Sequence, residues 1–398
     1  MPEVTPEGIL RCAGSAVIQP WARHEQHRRA NPQKGPLGLR RPAQIMNRCD
    51  ERVGHMHEHE SNSPLAGKVV LITGGTGSFG RKFAQIVLKR CEPQAIRIYS
   101  RGELLQQQMR EQFENDPRLR FFIGDVRDRS RLCRAMHGVD VVVHAAALKQ
   151  VPACEYNPIE AVRTNVDGTA NVIDAAIDNN VEKVVGISTD KAVHPVNLYG
   201  ATKLVAEKLL VQGNAYAGGG RTRFSVVRYG NVMGSRGSVV PLFTRLRNSG
   251  RLPITDPRMT RFSITLEQGV DIVVRCLQWM VGGETFVPKL PSVRVIDLAK
   301  AIAPNCELEV VGIRPGEKLH EILIPEDEAR NALEYDDHFI VLPQDPEWDF
   351  ARFERGMGAK VRTEGFEYTS ANNTAWLTPD ELRAMIEDVG SHAGDDAR

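Results

Sequence analysis

From Lys68 onward, short apolar runs alternate with longer stretches in which apolar residues recur at helical spacing. The runs at 68–73, 95–100, 119–124, 139–144 and 181–187 are rich in Val and Ile and end in small or polar residues. Strands buried on both faces of a parallel sheet have this character. A helix-like stretch at 81–89 follows the first run, another containing Asn165 and Gly168 precedes the fifth, and Tyr199 to Lys203 reads as the start of a further helix. The alternation predicts an α/β protein with a doubly wound parallel sheet. After Asn231 the regularity drops and loops lengthen, with 298–303 and 308–311 reading as a small helix and strand. The pattern divides the chain into an N-terminal extension (1–66), a sheet domain (67–230), a smaller region (231–345) and a C-terminal extension and tail (346–398). From Asp345 the chain is polar, with Trp348 and Trp376, and is expected to form an extension packed on the body, with 390–398 a disordered tail.

Composition narrows the function. The chain has 398 residues, 41% hydrophobic and 25% charged, with a net charge of +1 that gives nucleic acid no basic surface. Its seven cysteines lack any Cys-x-x-Cys pair, which fits reduced thiols in a cytoplasmic protein rather than disulfides or a zinc site. No apolar run reaches the ~20 residues needed to span a bilayer, so no membrane partner is expected. The first 66 residues carry Pro20, Pro32, Pro36, Pro42 and Pro64 among many Arg and His and read as disordered. His55, His57 and His59 alternate there as a polar tract, and the folded part shows no metal-ligand cluster.

The first apolar run leads into Gly74-Gly75-Thr76-Gly77-Ser78-Phe79-Gly80 and then a helix. Gly74, Gly77 and Gly80 allow a tight turn and close backbone approach, and the helix N-terminus would face a pyrophosphate. The reading is a dinucleotide-binding Rossmann sheet. About 20 residues on, the second strand ends in Ser100 and Arg101, where an acid would bind a ribose hydroxyl and an Arg accommodates a 2′-phosphate. Arg101 therefore favours NADP over NAD, although Glu103 stands nearby. Asp125 and Val126 end the third strand, where the adenine edge is expected. Ala145 and Ala146, after the fourth, let backbone pass close to a cofactor.

The fifth strand runs into Ser188-Thr189-Asp190-Lys191, followed by Tyr199-Gly200-Ala201-Thr202-Lys203. The i, i+4 spacing puts Tyr199 and Lys203 on one helix face. A free tyrosine is a poor base at neutral pH, and a lysine charge beside it favours the phenolate. Thr189 adds a hydroxyl to the same set. Asp190 and Lys191 offer a proton donor and a proton acceptor at the same strand end.

A glycine fingerprint followed at this distance by Tyr-x-x-x-Lys resembles the extended short-chain dehydrogenase/reductase superfamily. The resemblance is closest to the inverting UDP-N-acetylglucosamine 4,6-dehydratases. It is carried by 73–80, by His144-Ala145-Ala146-Ala147-Leu148-Lys149, by 188–192, 197–203 and 227–232, and by Gly312-Ile313-Arg314-Pro315-Gly316-Glu317-Lys318. Other sugar-nucleotide 4,6-dehydratases carry Thr-Asp-Glu where this chain has Thr189-Asp190-Lys191. The resemblance implies that Tyr199 takes the 4-hydroxyl proton while hydride passes from carbon 4 to NADP, with Thr189 orienting the substrate and Lys203 holding the nicotinamide ribose. A neutral Lys191 then removes the carbon 5 proton, and Asp190 helps the 6-hydroxyl leave as water. Hydride returns to carbon 6, and carbon 5 is reprotonated on its opposite face. The step requires a neutral Lys191, toward which burial and the Lys203 charge would act, and a protonated Asp190, which needs the opposite shift; the sequence leaves the protons of this pair unassigned. The resemblance also implies that Lys149, Tyr199, Asn231, Arg261, Arg314 and Glu317 hold the UDP-N-acetylglucosamine, that Lys149 touches the cofactor as well, and that the protein is a homo-oligomer. Gly102 stands where the family has Asp, and Gln150 leaves the downstream product, pseudaminic acid or a capsule sugar, open.

Two other readings compete. A UDP-sugar 4-epimerase would need Thr189, Tyr199 and Lys203 but not both Asp190 and Lys191. A non-catalytic NADP-binding protein would have no use for Tyr-x-x-x-Lys.

Overall fold

In Val69–Thr73 the side chains alternate between the two faces of a sheet. Val70 and Ile72 join one apolar cluster and Leu71 the other, all with no exposed surface. This strand, β1, lies inside the parallel array that the sequence predicts. In the computed structural model, which describes residues 63–235, 238–344, 360–361 and 365–393, β1 is flanked by β2 (Ala95–Ser100) and β4 (Val141–His144), with β3 (Leu119–Ile123) beyond β2. β5 (Lys183–Thr189) and β6 (Arg223–Tyr229) continue the parallel sheet on the β4 side. The order 3-2-1-4-5-6 is doubly wound, with its reversal between β1 and β4. Residues 1–62, Trp348 and 394–398 lie outside the described residues, and with them most of the predicted N-terminal extension and the end of the tail.

Helices cover both faces. α1 (Ser78–Arg90) belongs to one layer, with α2 (Glu103–Gln112) after β2. α3 (Arg129–Met136) belongs to the other. Two short helices, α4 (Val151–Tyr156) and α5 (Pro158–Val162), lead through a π-helical turn, Arg163–Asp167, into α6 (Gly168–Asp178). α7 (Leu198–Ala217) starts where Asn197 caps the Gly200 N–H at 2.8 Å. α3, α6 and α7 pack one after another. Each fully buried Val, Leu, Ile or Phe of these layers contributes about 1.5–3 kcal/mol.

Beyond β6 the chain does not leave the sheet. After β7 (Asn231–Val232), α8 (Val239–Leu246), β8 (Arg251–Ile254), β9 (Thr260–Ile264) and α9 (Leu266–Trp279), which packs on α1, β10 (Thr285–Pro288) pairs parallel with β6. β11 (Ser292–Arg294), α10 (Val295–Ile302) and β12 (Glu307–Val310) follow, so the small helix and strand expected at 298–303 and 308–311 are present, shifted by one to three residues. β13 (Ile322–Ile324) and α11 (Glu326–Ala329) precede β14 (Ala332–Glu334), β15 (His338–Val341) and β16 (Lys360–Val361), which extend the main sheet antiparallel. The segment read as mainly substrate-binding thus also supplies sheet. β17 (Tyr368–Thr369) pairs with β13, and α12 (Pro379–Ala393) packs on α10. The C-terminal extension packs on the body, as expected, through buried Tyr368 and Leu382, while Trp376 stays 40% exposed. Helix, not tail, occupies 390–393. No helix among the described residues is long and apolar enough to cross a membrane.

Candidate active site

A cavity of 760 Å³ opens at the C-terminal ends of β1, β2, β4, β5 and β6, at the reversal of strand order. Its floor is the glycine turn. Gly74 has φ +67°, and a side chain on Gly80 would run into the Gly75 carbonyl, so α1 lies against the turn only because Gly80 has none. The first turn of α1 has no side-chain cap, which leaves its N–H groups for an anion. Arg81, itself buried, ties the turn to α2 by donating to the carbonyls of Thr76 at 3.2 Å and Leu105 at 3.3 Å. Thr76, Gly77, Ser78, Phe79, Ser100, Arg101, Asp125, Val126, Ala145, Ala146 and Lys149 all line the cavity. A nucleotide diphosphate fits this cradle of bare glycine backbone and open N–H groups.

The cavity's roof is held by buried polar side chains. His144 bonds Thr73 Oγ1 at 2.8 Å and Thr169 Oγ1 at 3.1 Å, and burial, with the Lys203 charge, pushes its ring down to about 3. It is a neutral tether, not a proton carrier at pH 7. Asn165, presented by the π-helical turn, accepts from the Leu148 N–H at 2.8 Å. It donates to the Leu148 carbonyl and to Thr202 Oγ1, each at 2.9 Å. The 145–149 loop is thereby fixed to α7.

The ionisable groups meet where β5 ends. Thr189 donates to Asp190 Oδ1 at 2.8 Å, and Thr189 and Tyr199 line the cavity together. Asp190 has no exposed surface, and its Oδ2 has no partner. Lys191 Nζ lies 3.0 Å from Asp190 Oδ1, 3.3 Å from Asn231 Oδ1 and 3.4 Å from Glu321 Oε1. Gly200 lets α7 start directly on this turn, since any side chain there would meet the Lys191 carbonyl. Lys203, one helical turn past Tyr199, donates to the Ile187 carbonyl at 2.7 Å.

Burial governs the charges here, and it corrects one expectation, that Lys203 is the cation tuning Tyr199. Tyr199 is pushed up to about 12 by burial, and the cation that most opposes this is Lys191, not Lys203. Lys203 is lowered to about 8 by burial, with Glu207 pulling the other way. Lys191 is not a neutral amine in this resting geometry. Burial lowers it, but the Asp190 and Glu321 carboxylates outweigh burial and raise it above an ordinary lysine. Asp190 is raised by burial against the pull of Lys191.

Asn231 and Lys149 line the cavity, but Arg261, Arg314 and Glu317 do not. Arg261 donates to the carbonyls of Thr260 at 2.7 Å and Leu319 at 3.1 Å, and its Nε lies 3.8 Å from Glu321. Arg314 is exposed, 3.9 Å from Glu317. No motif in the sequence marks Glu321, Asn165 or Arg81 as parts of the site. Arg81 and Asn165 sit inside recognisable helices, but nothing in a linear pattern marks which helical polar residue turns inward. A larger hollow of 1080 Å³ behind α7 is lined by Glu207, Arg228 and Glu328, which pair with one another, and it contains none of the site's groups.

Residues 70–343 match the family described as polysaccharide biosynthesis protein. The chain is 51% identical, over 80% of its length and 97% of the relative's, to a UDP-N-acetylglucosamine 4,6-dehydratase (inverting) of Campylobacter jejuni. It is 42% identical, over 80% of its length and 95% of the relative's, to a UDP-glucose 4-epimerase of Rickettsia rickettsii. Among solved structures, Pen from Bacillus thuringiensis superposes with a TM-score of 0.73 at 40% identity, covering 81% of this chain and 99% of that one.

Proposed function

This chain belongs to the polysaccharide biosynthesis protein family, and from that premise we propose that it is a hydro-lyase acting on UDP-N-acetylglucosamine at carbons 4 and 6, with inversion at carbon 5. The observation that carries the reading is the Asp190–Lys191 pair at 3.0 Å beside Tyr199. Oxidation and reduction at one carbon need a hydroxyl base; elimination needs, in addition, a base for carbon 5 and an acid for the departing oxygen. The pair supplies both. The 51% identity to a protein named for this reaction supports the same reading.

NADP is the proposed cofactor, held by the glycine turn, Ser100, Arg101, Asp125, Val126, Ala145, Ala146 and Lys149, with Tyr199 and Lys203 at its reactive end. When bound it would supply the hydride acceptor for carbon 4 and the donor for carbon 6. Tyr199 accepts the 4-hydroxyl proton, the Lys191 ammonium stabilising the phenolate. Thr189 orients that hydroxyl.

Elimination then requires a proton to cross from Lys191 Nζ to Asp190 Oδ1, a move between atoms already in contact. Neutral Lys191 takes the carbon 5 proton and Asp190 gives its own to the 6-hydroxyl, which leaves as water. The pair finishes as ammonium and carboxylate; carbon 5 takes a solvent-derived proton on its opposite face as hydride would return to carbon 6, and Tyr199 releases the 4-hydroxyl proton, which closes the proton count. Asn231, Lys149, Arg261, Arg314 and Glu317 are the proposed holders of the UDP-sugar, the last three after movement toward the cavity. The product, a 4-keto-6-deoxy sugar nucleotide, suits surface glycan synthesis, with self-association of the protein proposed alongside.

Incubation with UDP-N-acetylglucosamine in deuterated water tests inversion. Deuterium at carbon 5 and an L-arabino product by NMR support it; a dehydrated product of unchanged configuration contradicts it. The epimerase reading keeps a claim through the 42% identity to a protein so named, but it leaves the Asp190–Lys191 pair without work.

A further inference from the structure

Lys191 is held by two carboxylates, and the mechanism above uses one. Glu321, just before β13, is 3% exposed and does not line the cavity. Its Oε1 lies 3.4 Å from Lys191 Nζ and its Oε2 has no hydrogen-bond partner. Its backbone is clamped from both sides by Ser370: the Glu321 N–H donates to Ser370 Oγ at 2.9 Å, and the Ser370 N–H donates to the Glu321 carbonyl at 2.8 Å. Ser370 Oγ is in turn 2.7 Å from Thr260 Oγ1. A buried acid held so firmly, reaching a reactive amine from behind, does more than fill space.

We infer that Glu321 is a positioning residue for the proposed dehydration: it holds the Lys191 amine against Asp190 and sets the pH range in which that pair works. The inference rests on the dehydratase reading. The groups facing Lys191 are Asp190 on its own turn, Tyr199 on α7, Asn231 on β7, Arg261 on β9, and Glu321 with Lys318 on the approach to β13. Arg261 and Lys318 offset part of the Glu321 charge, and Glu321 remains the anion nearest the amine after Asp190. Its negative charge makes both members of the pair hold protons more tightly. A pair that must present one neutral amine and one protonated acid therefore works at higher pH with Glu321 than without it.

Glu321→Gln keeps the shape and removes the charge. The rate of water loss is measured across pH for wild type and E321Q, with thermal unfolding as the check on folding. Both limbs of the E321Q profile are expected to move to lower pH by about one unit. Limbs at unchanged pH with only a lower plateau would mark Glu321 as structural and overturn the inference. Glu321→Asp, which keeps the charge on a shorter arm, is expected to hold the limbs in place with a reduced kcat. It carries the test if E321Q does not fold, and wild-type kcat in E321D would also overturn the inference. A wild type that releases no water on UDP-N-acetylglucosamine would instead defeat the dehydratase reading itself.

Discussion

Burial alone would leave Tyr199 a phenol at neutral pH, and the Lys191 ammonium is the charge that works hardest against it. Lys191 therefore serves two steps. Lys191→Met is expected to reduce water loss by about 10²–10⁴-fold. It also removes the cation, so oxidation at carbon 4, followed by the absorbance of the reduced nicotinamide, should need a pH about one unit higher. Oxidation unchanged in its pH dependence would show that Lys191 does not tune the phenol. Tyr199→Phe should lose oxidation by about 10²–10⁴-fold at every pH. The types and order of these groups are legible in the sequence because Thr189 to Lys203 is one strand end and one helix start. Their protonation is not, because it depends on Glu321, which lies far along the chain and is brought near only when β13 and β17 pair.

At the scale of elements, β5, β6 and α7 form the rigid wall behind the chemistry. Arg228 sits buried in β6 and bonds Glu207 of α7 and Glu328 of α11, each at 2.6 Å, with the Leu323 carbonyl at 2.8 Å. Removing it strands two carboxylates. Arg228→Ala is expected to cost about 3–5 kcal/mol, read as a lower urea midpoint; a midpoint within error of wild type would contradict this role. Burial would raise Glu328, but Arg228 outweighs it and holds the carboxyl below its usual range. That share of stability is present above the ordinary glutamate pKa and fades as pH falls through the depressed one, so the variant should lose less on acidification. Gly200→Ala should push α7 off the Lys191 turn and lower kcat with little change in cofactor affinity. The strands were readable as apolar runs, whose starts the structure trims by up to two residues at 139 and 181. The Val227-Arg228-Tyr229 string carried only resemblance, since a charge inside an apolar strand has no local explanation; its reason is tertiary.

Across the whole molecule, the sheet and its reversal point bring a nucleotide cradle and the Lys191 and Tyr199 side chains to one cavity, with Asp190 buried just behind Lys191. The β-α alternation announced this half of the fold. The return of β10, β14, β15 and β16 to the same sheet was hidden, because short strands after long loops lack a period strong enough to read. Arg101 at the cradle's edge predicts a cofactor preference: Arg101→Ala should weaken NADP by about tenfold in titration, about 1.4 kcal/mol, and leave NAD nearly unchanged. Equal losses for both would remove the argument for NADP. The central claim is elimination, and the most direct test is the mass of the product made from UDP-N-acetylglucosamine by the purified full chain. The account predicts a sugar nucleotide lighter by one water. A product of unchanged mass with carbon 4 inverted would contradict it, and would leave the Asp190–Lys191 pair without a function.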